Sequence, residues 1–300
     1  MKDDGGIFVL SPEKHPWLVP LARVWFPIKA VWRNFRIQKS VTRWLGPQYR
    51  RSRDLLEIDI TYACNLHCIN CNRSVTQAPE AKHLTLEAVQ AAVAEWKSVG
   101  KKWKRIRILG GEPTVHPQFE AIVDAIRAYR EWHPGVLIEV VSNGYGAMVQ
   151  GKLAALPKDV VIENSNKTSK VQPHFGPFNM APVDDPKYAK ADYTNACSIV
   201  ENCGMGLGPQ GYFPCGCAGG IDRVTGANGG YKALPKDDDD MLALLEDNCR
   251  LCGRFHDGHY VPQNIRPTLT EAKVSPTWEA AYREWRARTK PASAATPSTD

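Results

Sequence analysis

The stretch that decides the fold is Cys64-Asn-Leu-His-Cys68-Ile-Asn-Cys71, which sets three cysteines in a C-x3-C-x2-C spacing. Cysteine thiolates hold iron–sulfur clusters, and a complete cage around one cluster needs four of them. A [4Fe–4S] cluster on these three would keep one iron open for another molecule. A zinc site is the alternative, but zinc needs a fourth Cys or His at short spacing, and His67, between the cysteines, is poorly placed for that.

Strand and helix patterns alternate around this loop. Residues 56–60 alternate apolar and polar side chains and run directly into the cysteines. Strands are predicted at 56–60, 105–109, 136–141 and 160–162. A helix capped by Thr85 and ending near Gly100 lies between the first two, and a second helix is predicted over 119–132. Repeated β/α units predict a parallel sheet, either in a full barrel or an open one.

Two short motifs follow the second and third predicted strands. They are Gly110-Gly111-Glu112-Pro113 and Ser142-Asn143-Gly144. In the first, the glycines would let the backbone approach a ligand closely, and Glu112 could accept a hydrogen bond from an ammonium group. Either motif alone is a weak turn signal. At the ends of strands that follow a C-x3-C-x2-C loop, the two together indicate a ligand site.

The cysteine loop and these motifs resemble the radical S-adenosylmethionine (SAM) enzymes. The resemblance implies a partial (β/α)6 barrel with a [4Fe–4S] cluster on the three loop cysteines, whose open iron takes the amino and carboxyl groups of SAM. Reduction then splits SAM into methionine and a 5′-deoxyadenosyl radical. The implied SAM site comprises Gly110, Gly111, Glu112, Ser142 and Asn143. Asn70 departs from the family, since most members carry an aromatic residue there, which alters one adenine-side contact.

A second group of cysteines lies in a glycine-rich region that begins near residue 190. They are Cys197, Cys203, Cys215, Cys217, Cys249 and Cys252. With a hairpin pattern at 211–215, they resemble a twitch domain, a short form of the SPASM extension that carries one auxiliary [4Fe–4S] cluster. One cluster takes four thiolates, so two cysteines remain. A zinc site is again the alternative.

The surplus thiols bear on the reaction. A radical epimerase must return hydrogen to the opposite face of a carbon, and a cysteine S–H is a suitable donor. A dehydrogenase needs only the cluster, as an electron sink. Over residues 55–255 the chain resembles the radical SAM epimerases of aminoglycoside antibiotic biosynthesis. That resemblance implies Cys249 as hydrogen donor and Cys217 as spare, with the auxiliary cluster on Cys197, Cys203, Cys215 and Cys252. Spacing alone would instead pair Cys249 with Cys252 as C-x2-C ligands.

The implied substrate is a small molecule with several ammonium groups, so its site should contain carboxylates. The candidates are Glu163, Asp184, Asp185 and Asp192, of which Glu163 ends a predicted strand. His174 and Phe175 are candidate sugar contacts, with a structural role as the alternative. Such an enzyme also requires an external one-electron reductant of the flavodoxin or ferredoxin type.

Charge is unevenly distributed along the 300 residues. Residues 1–53 hold 11 Lys or Arg and 3 Asp or Glu, a net charge of +8, whereas the whole chain carries +6. Four of the nine tryptophans are in this segment, interrupted by Pro16, Pro20 and Pro27. Nucleic acid or an anionic membrane could bind such a surface. We expect instead that the prolines prevent a good amphipathic helix, that the aromatics pack on the main domain and that Arg33, Arg36 and Arg43 stay solvated.

These patterns divide the chain into four parts. They are a basic extension at 1–53, the barrel at 54–190, a separate auxiliary-cluster unit at 191–260, and a C-terminal helix with a disordered tail at 261–300. Without a membrane-length apolar run or a signal-peptide core, the clustered cysteines predict a cytoplasmic, oxygen-sensitive protein. The competing hypotheses are a radical SAM dehydrogenase of an aminocyclitol alcohol, an enzyme acting on a ribosomal peptide, and a cluster- or zinc-bearing nucleic-acid-binding protein.

Overall fold

The computed structural model describes residue 12 and residues 15–169, 178–259, 261–266 and 271–289. His174 and Phe175 lie outside these residues, as does the predicted tail beyond Thr289. The strands are β1 (Leu55–Thr61), β2 (Arg105–Gly110), β3 (Leu137–Ser142), β4 (Val161–Asn164), β5 (Met205–Gly208) and β6 (Gly211–Phe213).

Eleven α-helices occur in the described residues. They are α1 (Val19–Arg36), α2 (Lys39–Leu45), α3 (Leu86–Ser98), α4 (Phe119–Arg127), α5 (Tyr129–Trp132), α6 (Ala147–Ala154), α7 (Ile199–Asn202), α8 (Gly216–Thr225), α9 (Leu242–Cys249), α10 (Arg254–Asp257) and α11 (Pro276–Thr289). The predicted helix at 119–132 is divided into α4 and α5 at Ala128. Thr85 caps α3 as predicted, accepting a hydrogen bond from the Ala88 amide at 3.2 Å.

One six-stranded sheet organises the fold, in the order β4-β3-β2-β1-β5-β6. Neighbouring strands from β4 to β5 are parallel, and β6 returns antiparallel to β5. The predicted mixed α/β fold with a parallel sheet is therefore confirmed. The sheet differs from six successive β/α strands, because β5 pairs with the opposite edge of β1 from β2. The region 191–260, expected as a separate unit, thus supplies two strands to the same sheet.

Strand β1 explains why one face of the sheet is polar. Its side chains alternate, so Leu56, Ile58 and Ile60 lie on one face and Glu57 and Asp59 on the other. All five are buried. The apolar face belongs to the hydrophobic core with the buried side of α3 and α4. The opposite face buries charged groups, which require partners there.

The N-terminal segment contradicts our expectation in three ways. Helix α1 is continuous for 18 residues, because Pro20 stands in its first turn, where no amide donor is needed, and Pro27 is accommodated inside it. Arg33 and Arg36 are buried rather than solvated, although Arg43 is exposed as expected. The tryptophans are exposed rather than packed.

Helix α11 is the last element of the described chain and packs on α8. Trp278, Tyr282 and Trp285 form a second apolar cluster with Ile221 and Val224 of α8. The Tyr282 hydroxyl donates to Asn179 Oδ1 at 2.7 Å. Among the described helices, none is both long and apolar enough to cross a membrane.

Candidate active site

The three loop cysteines line one large pocket directly after β1. Cys64, Cys68 and Cys71 share a space of about 570 Å³ with Gly110, Gly111, Ser142 and Asn143 at the ends of β2 and β3. Burial raises the pKa of Cys64 to about 12, with a smaller contribution from the neighbouring thiols. The Leu66 amide lies 3.4 Å from Cys64 Sγ and can donate to it. We call this space the main pocket.

Glu112 ties the ends of β2 and β3 together. Its side chain is fully buried and accepts from the Thr114 hydroxyl at 2.8 Å, the Ser142 hydroxyl at 2.9 Å and the Asn143 amide at 2.8 Å. The Thr114 amide is a fourth, longer donor at 3.3 Å. The carboxylate is thus occupied by the chain itself, and its predicted contact with an ammonium group remains a prediction.

The paired glycines allow the cysteine loop to pack closely against β2. A Cβ at Gly110, where φ is +140°, would lie 2.2 Å from the Thr61 carbonyl oxygen, and one at Gly111 would lie 2.2 Å from that of Ala63. Both distances are impossible for a real side chain. The close approach that we predicted toward a ligand is therefore made, at these two positions, toward the chain that carries the cysteines.

Asn143 connects the end of β3 to the cysteine loop. Its Nδ2 donates to Asn65 Oδ1 at 2.8 Å and lies 3.9 Å from Cys64 Sγ, and its Oδ1 accepts from the Tyr145 amide at 2.7 Å. Asn65 in turn donates to the Tyr145 carbonyl at 2.8 Å. The Ser142-Asn143-Gly144 motif is thus at the predicted pocket, and it positions the first cysteine.

A row of ion pairs crosses the polar face of the sheet and was missed by our sequence reasoning. Glu57, Arg107 and Glu139 are register partners on β1, β2 and β3. Arg107 Nη1 donates to Glu57 Oε1 at 2.7 Å, and Arg107 Nη2 pairs with Glu163 on β4 at 2.5 Å. Arg73 pairs with the other Glu57 oxygen at 2.9 Å. The signal was present in the polar positions that alternate with apolar ones along three strands.

The two β1 carboxylates respond differently to burial. For Glu57 burial opposes ionisation, but Arg73 and Arg107 outweigh it and lower the pKa of the carboxyl group. For Asp59 burial dominates and raises the pKa to about 6, although Arg73 lies 3.4 Å away. The two β1 carboxylates are therefore shifted in opposite directions, with the pKa of Glu57 lowered and that of Asp59 raised.

Five of the six C-terminal cysteines line a second, smaller space, which we call the cysteine cavity. They are Cys197, Cys215, Cys217, Cys249 and Cys252. Burial raises the pKa of Cys249 and of Cys197. Apolar side chains including Phe255 and Leu245 complete the lining. Cys249, at the last position of α9, is thus beside the other four thiols.

Cys203 is in a different place from its predicted partners. It lines the main pocket with its Sγ 3.9 Å from Arg107 Nη1, next to Glu57. Cys217 lines both spaces, and Asn72 Nδ2 and Arg73 Nη1 each lie 3.9 Å from its sulfur. The structure therefore places Cys197, Cys215 and Cys252 around the cysteine cavity with Cys217 and Cys249, whereas Cys203 is in the main pocket.

The predicted substrate carboxylates are dispersed. Glu163 is on β4, partly exposed and paired with Arg107. Asp184 is exposed and accepts from the Thr277 amide and hydroxyl at the start of α11. Asp185 and Asp192 each cap a short turn, through the amides of Lys187 and Thr194. Of the four, only Glu163 contacts a residue that lines the described part of the main pocket.

Comparison with known families identifies the segment that holds this site. Residues 58–158 match the model of the Radical SAM superfamily. This segment is similar to a radical SAM domain. The match begins within β1, includes the three loop cysteines and ends before β4. The three cysteines of the main pocket would therefore hold the [4Fe–4S] cluster that the family implies, with SAM beside it.

Curated proteins similar to part of the chain include GTP 3′,8-cyclases. That of Mannheimia succiniciproducens is 31% identical over 112 residues, 36% of this chain and 32% of the relative. That of Pelotomaculum thermopropionicum is 35% identical over 99 residues, 32% of this chain and 29% of the relative. The chain thus spans about a third of the length of the curated relatives it matches.

Solved structures similar to the chain include two of BtrN. One, in complex with AdoMet and 2-DOIA, covers 67% of this chain and 85% of that chain, with 12% identity and a TM-score of 0.37. The other, SeMet BtrN in an open conformation, covers 67% of this chain and 83% of that chain, with 14% identity and a TM-score of 0.36.

The residues of the main pocket fit the group that a radical SAM domain implies. Three thiols face a space within the range of roughly 300–1,000 Å³ typical of ligand pockets. Asn70, between two of the cysteines, is fully buried, and neither of its amide atoms has a hydrogen-bond partner among the described residues. Such an amide has unused capacity for a polar ligand.

The thiols that line the cysteine cavity are suitable ligands for a cluster, but the cavity is too small to hold one. Its open space is about 20 Å³, roughly that of one water molecule, so the thiols would have to move apart around a cluster. Within the described residues, no three Cys, His, Asp or Glu side chains are placed to hold a single metal ion.

Proposed function

We propose that this protein is a radical SAM epimerase that inverts a sugar carbon of an aminoglycoside, converting neomycin C to neomycin B at C-5‴. The observation that carries the proposal is the presence of five thiols around the cysteine cavity, one more than a four-thiolate cage requires. The match of residues 58–158 to the Radical SAM superfamily and the resemblance of residues 55–255 to the epimerases, specifically to neomycin C epimerase, support it.

When bound, the cluster of the main pocket and SAM would supply a 5′-deoxyadenosyl radical that removes hydrogen from the sugar carbon. Cys249 then returns a hydrogen atom to the other face from its thiol, which burial keeps protonated by raising its pKa. We assign the auxiliary cluster to Cys197, Cys215, Cys217 and Cys252. Cys217 replaces Cys203 in this set because it lines the cysteine cavity.

Glu163 is the carboxylate that we assign to the substrate. Its side chain is 41% exposed, and its pairing with Arg107 fixes it beside the main pocket. A half-exposed, oriented carboxylate can bind an ammonium group without a large desolvation cost. Asp184 and Asp185 have local partners of their own, and we assign them no substrate contact.

The test is anaerobic turnover of the reconstituted protein with SAM, dithionite and neomycin C in deuterated water. We expect an isomer with one solvent deuterium at the inverted carbon and one 5′-deoxyadenosine per product, since a thiol exchanges its hydrogen with solvent. Loss of two mass units would instead indicate a dehydrogenase. Absence of 5′-deoxyadenosine with every aminoglycoside tried would contradict the substrate class.

A matched pair of variants tests the donor. Cys249→Ala should still form 5′-deoxyadenosine but lose the epimer, because the substrate radical has no thiol to quench it. Cys203→Ala, which removes a partly buried thiol from the main pocket, should keep the deuterium-labelled product. Epimer formation by Cys249→Ala would exclude Cys249 as donor.

A further inference from the structure

Helix α1 presents an apolar stripe to the surface. Its exposed large side chains follow the i, i+3, i+4, i+7 spacing of one helical face. They are Leu21, Val24, Trp25, Ile28, Val31, Trp32 and Phe35. Val31 is 71% exposed, and Trp17 and Trp44, near the two ends of the stripe, are 68% and 82% exposed. Monomeric proteins seldom expose a contiguous patch of this kind unless something binds it.

The segment that carries the stripe has positively charged side chains and no negatively charged ones. No acidic residue occurs between His15 and Arg53. Arg23, Lys39 and Arg43 are exposed, and the Lys29 ammonium group lies 5.4 Å from the Phe26 ring. Complementary charge favours an acidic partner, whereas two copies of this face would bring like charges together.

The inner face of α1 rests on the cysteine cavity. Arg33 Nη1 donates to the Asn195 carbonyl at 3.0 Å, and Nη2 donates to the carbonyl of Ala196, the residue before Cys197. The Arg33 guanidinium also lies 4.7 Å from the ring of Phe255, which lines the cavity. At Arg33, the outward stripe and the cavity are therefore separated by the width of one helix, about 10 Å, and by the wall residue Phe255.

We propose that the outward face of α1 is the docking surface of an acidic one-electron carrier protein. The inference rests on the proposed function, in which the thiyl radical left on Cys249 must be reduced at every turnover. The carrier loses one electron, and that electron with one solvent proton restores the thiol. The exposed face of a single helix suits the small, transient interfaces of redox proteins. Its positive charge steers an acidic partner to the helix that contacts the cavity wall through Arg33.

The test measures binding of an oxidised flavodoxin of strongly negative net charge to the reconstituted protein by isothermal titration calorimetry. We expect binding that weakens steeply between low and high salt. Val31→Glu, at the centre of the stripe, should weaken it about tenfold. Val99→Glu is the matched control, since Val99 is 62% exposed at the end of α3 and receives the same charge, and it should leave affinity within about twofold.

Three outcomes would overturn the docking proposal. The first is an equal loss of affinity for flavodoxin in Val31→Glu and Val99→Glu. The second is a dimer of the parent protein, seen by sedimentation, that only Val31→Glu dissociates. The third is binding of phosphatidylserine vesicles without binding of flavodoxin. Dithionite reduces the protein without a docking site, so turnover driven by dithionite tests the proposed function independently of the docking surface. Val31→Glu should keep dithionite-driven turnover and lose turnover driven by reduced flavodoxin. If dithionite yields no epimer from any variant, the proposed function fails independently of the binding result.

Discussion

Glu112 shows how one buried carboxylate holds two strand ends in position. We expect Glu112→Gln to lower the free energy of unfolding by about 1–3 kcal/mol, because the amide nitrogen would face a donor that the carboxylate now accepts from. Urea unfolding measures the change. Glu120→Gln, on the exposed face of α4, is the control and should change stability by less than about 0.5 kcal/mol. Equal effects would mean that the four hydrogen bonds to Glu112 stabilise nothing.

His256 gives a prediction for pH. Its Nδ1 contacts the Tyr188 hydroxyl and its Nε2 the Met180 carbonyl, each at 3.0 Å. Burial lowers its pKa, so the unfolded chain takes up a proton near pH 6.5, before the folded chain does. Stability should therefore fall as pH drops below about 6.5. Urea midpoints from pH 7.5 to 5.5 should fall less steeply in His256→Gln than in the parent, and parallel curves would contradict this.

Among the elements, β2 depends most on an exact charge arrangement. Arg107 joins the largely buried carboxylates of β1 and β3 and the half-exposed carboxylate of β4 on the polar face of the sheet. Arg107→Met should cost about 3–5 kcal/mol in unfolding free energy, since it leaves buried carboxylates without their partner. Arg127→Met, which removes an exposed pair with Asp159, should cost at most about 1 kcal/mol. Similar losses of unfolding free energy in the two variants would show that the ion pairs of Arg107 are solvated.

Helix α1 marks where element-level prediction from sequence fails. The prolines suggested short pieces, but Pro20 stands where a helix has no amide to lose, and Pro27 is tolerated inside. The periodic apolar residues were visible in the sequence. The direction in which these residues face could not be predicted from the sequence. It depends on the burial of Arg33, whose guanidinium donates to the carbonyl groups of Asn195 and Ala196, far along the chain.

For the molecule as a whole, local patterns predicted the first four strands, α3 and the position of the cysteine loop. Those features depend on residues within a few positions of each other, such as Thr85 at the start of α3. The pairing of β5 with β1 and the grouping of Cys217 with Cys197, Cys215, Cys249 and Cys252 depend on contacts between distant segments. Spacing could not distinguish Cys203 from Cys217, because only the fold places them in different pockets.

The pairing of Leu56 with Met205 has a consequence for synthesis on the ribosome. Strand β1 is central in the finished sheet, yet the edge that β5 covers stays open while most of the intervening chain is translated. An unpaired strand edge is a template for aggregation, and pairing between distant segments is slow to form. The nascent protein therefore passes through a stage in which its cysteine loop is complete but its sheet is not. At this stage the open edge of β1 is exposed, and chaperones are most needed to prevent aggregation.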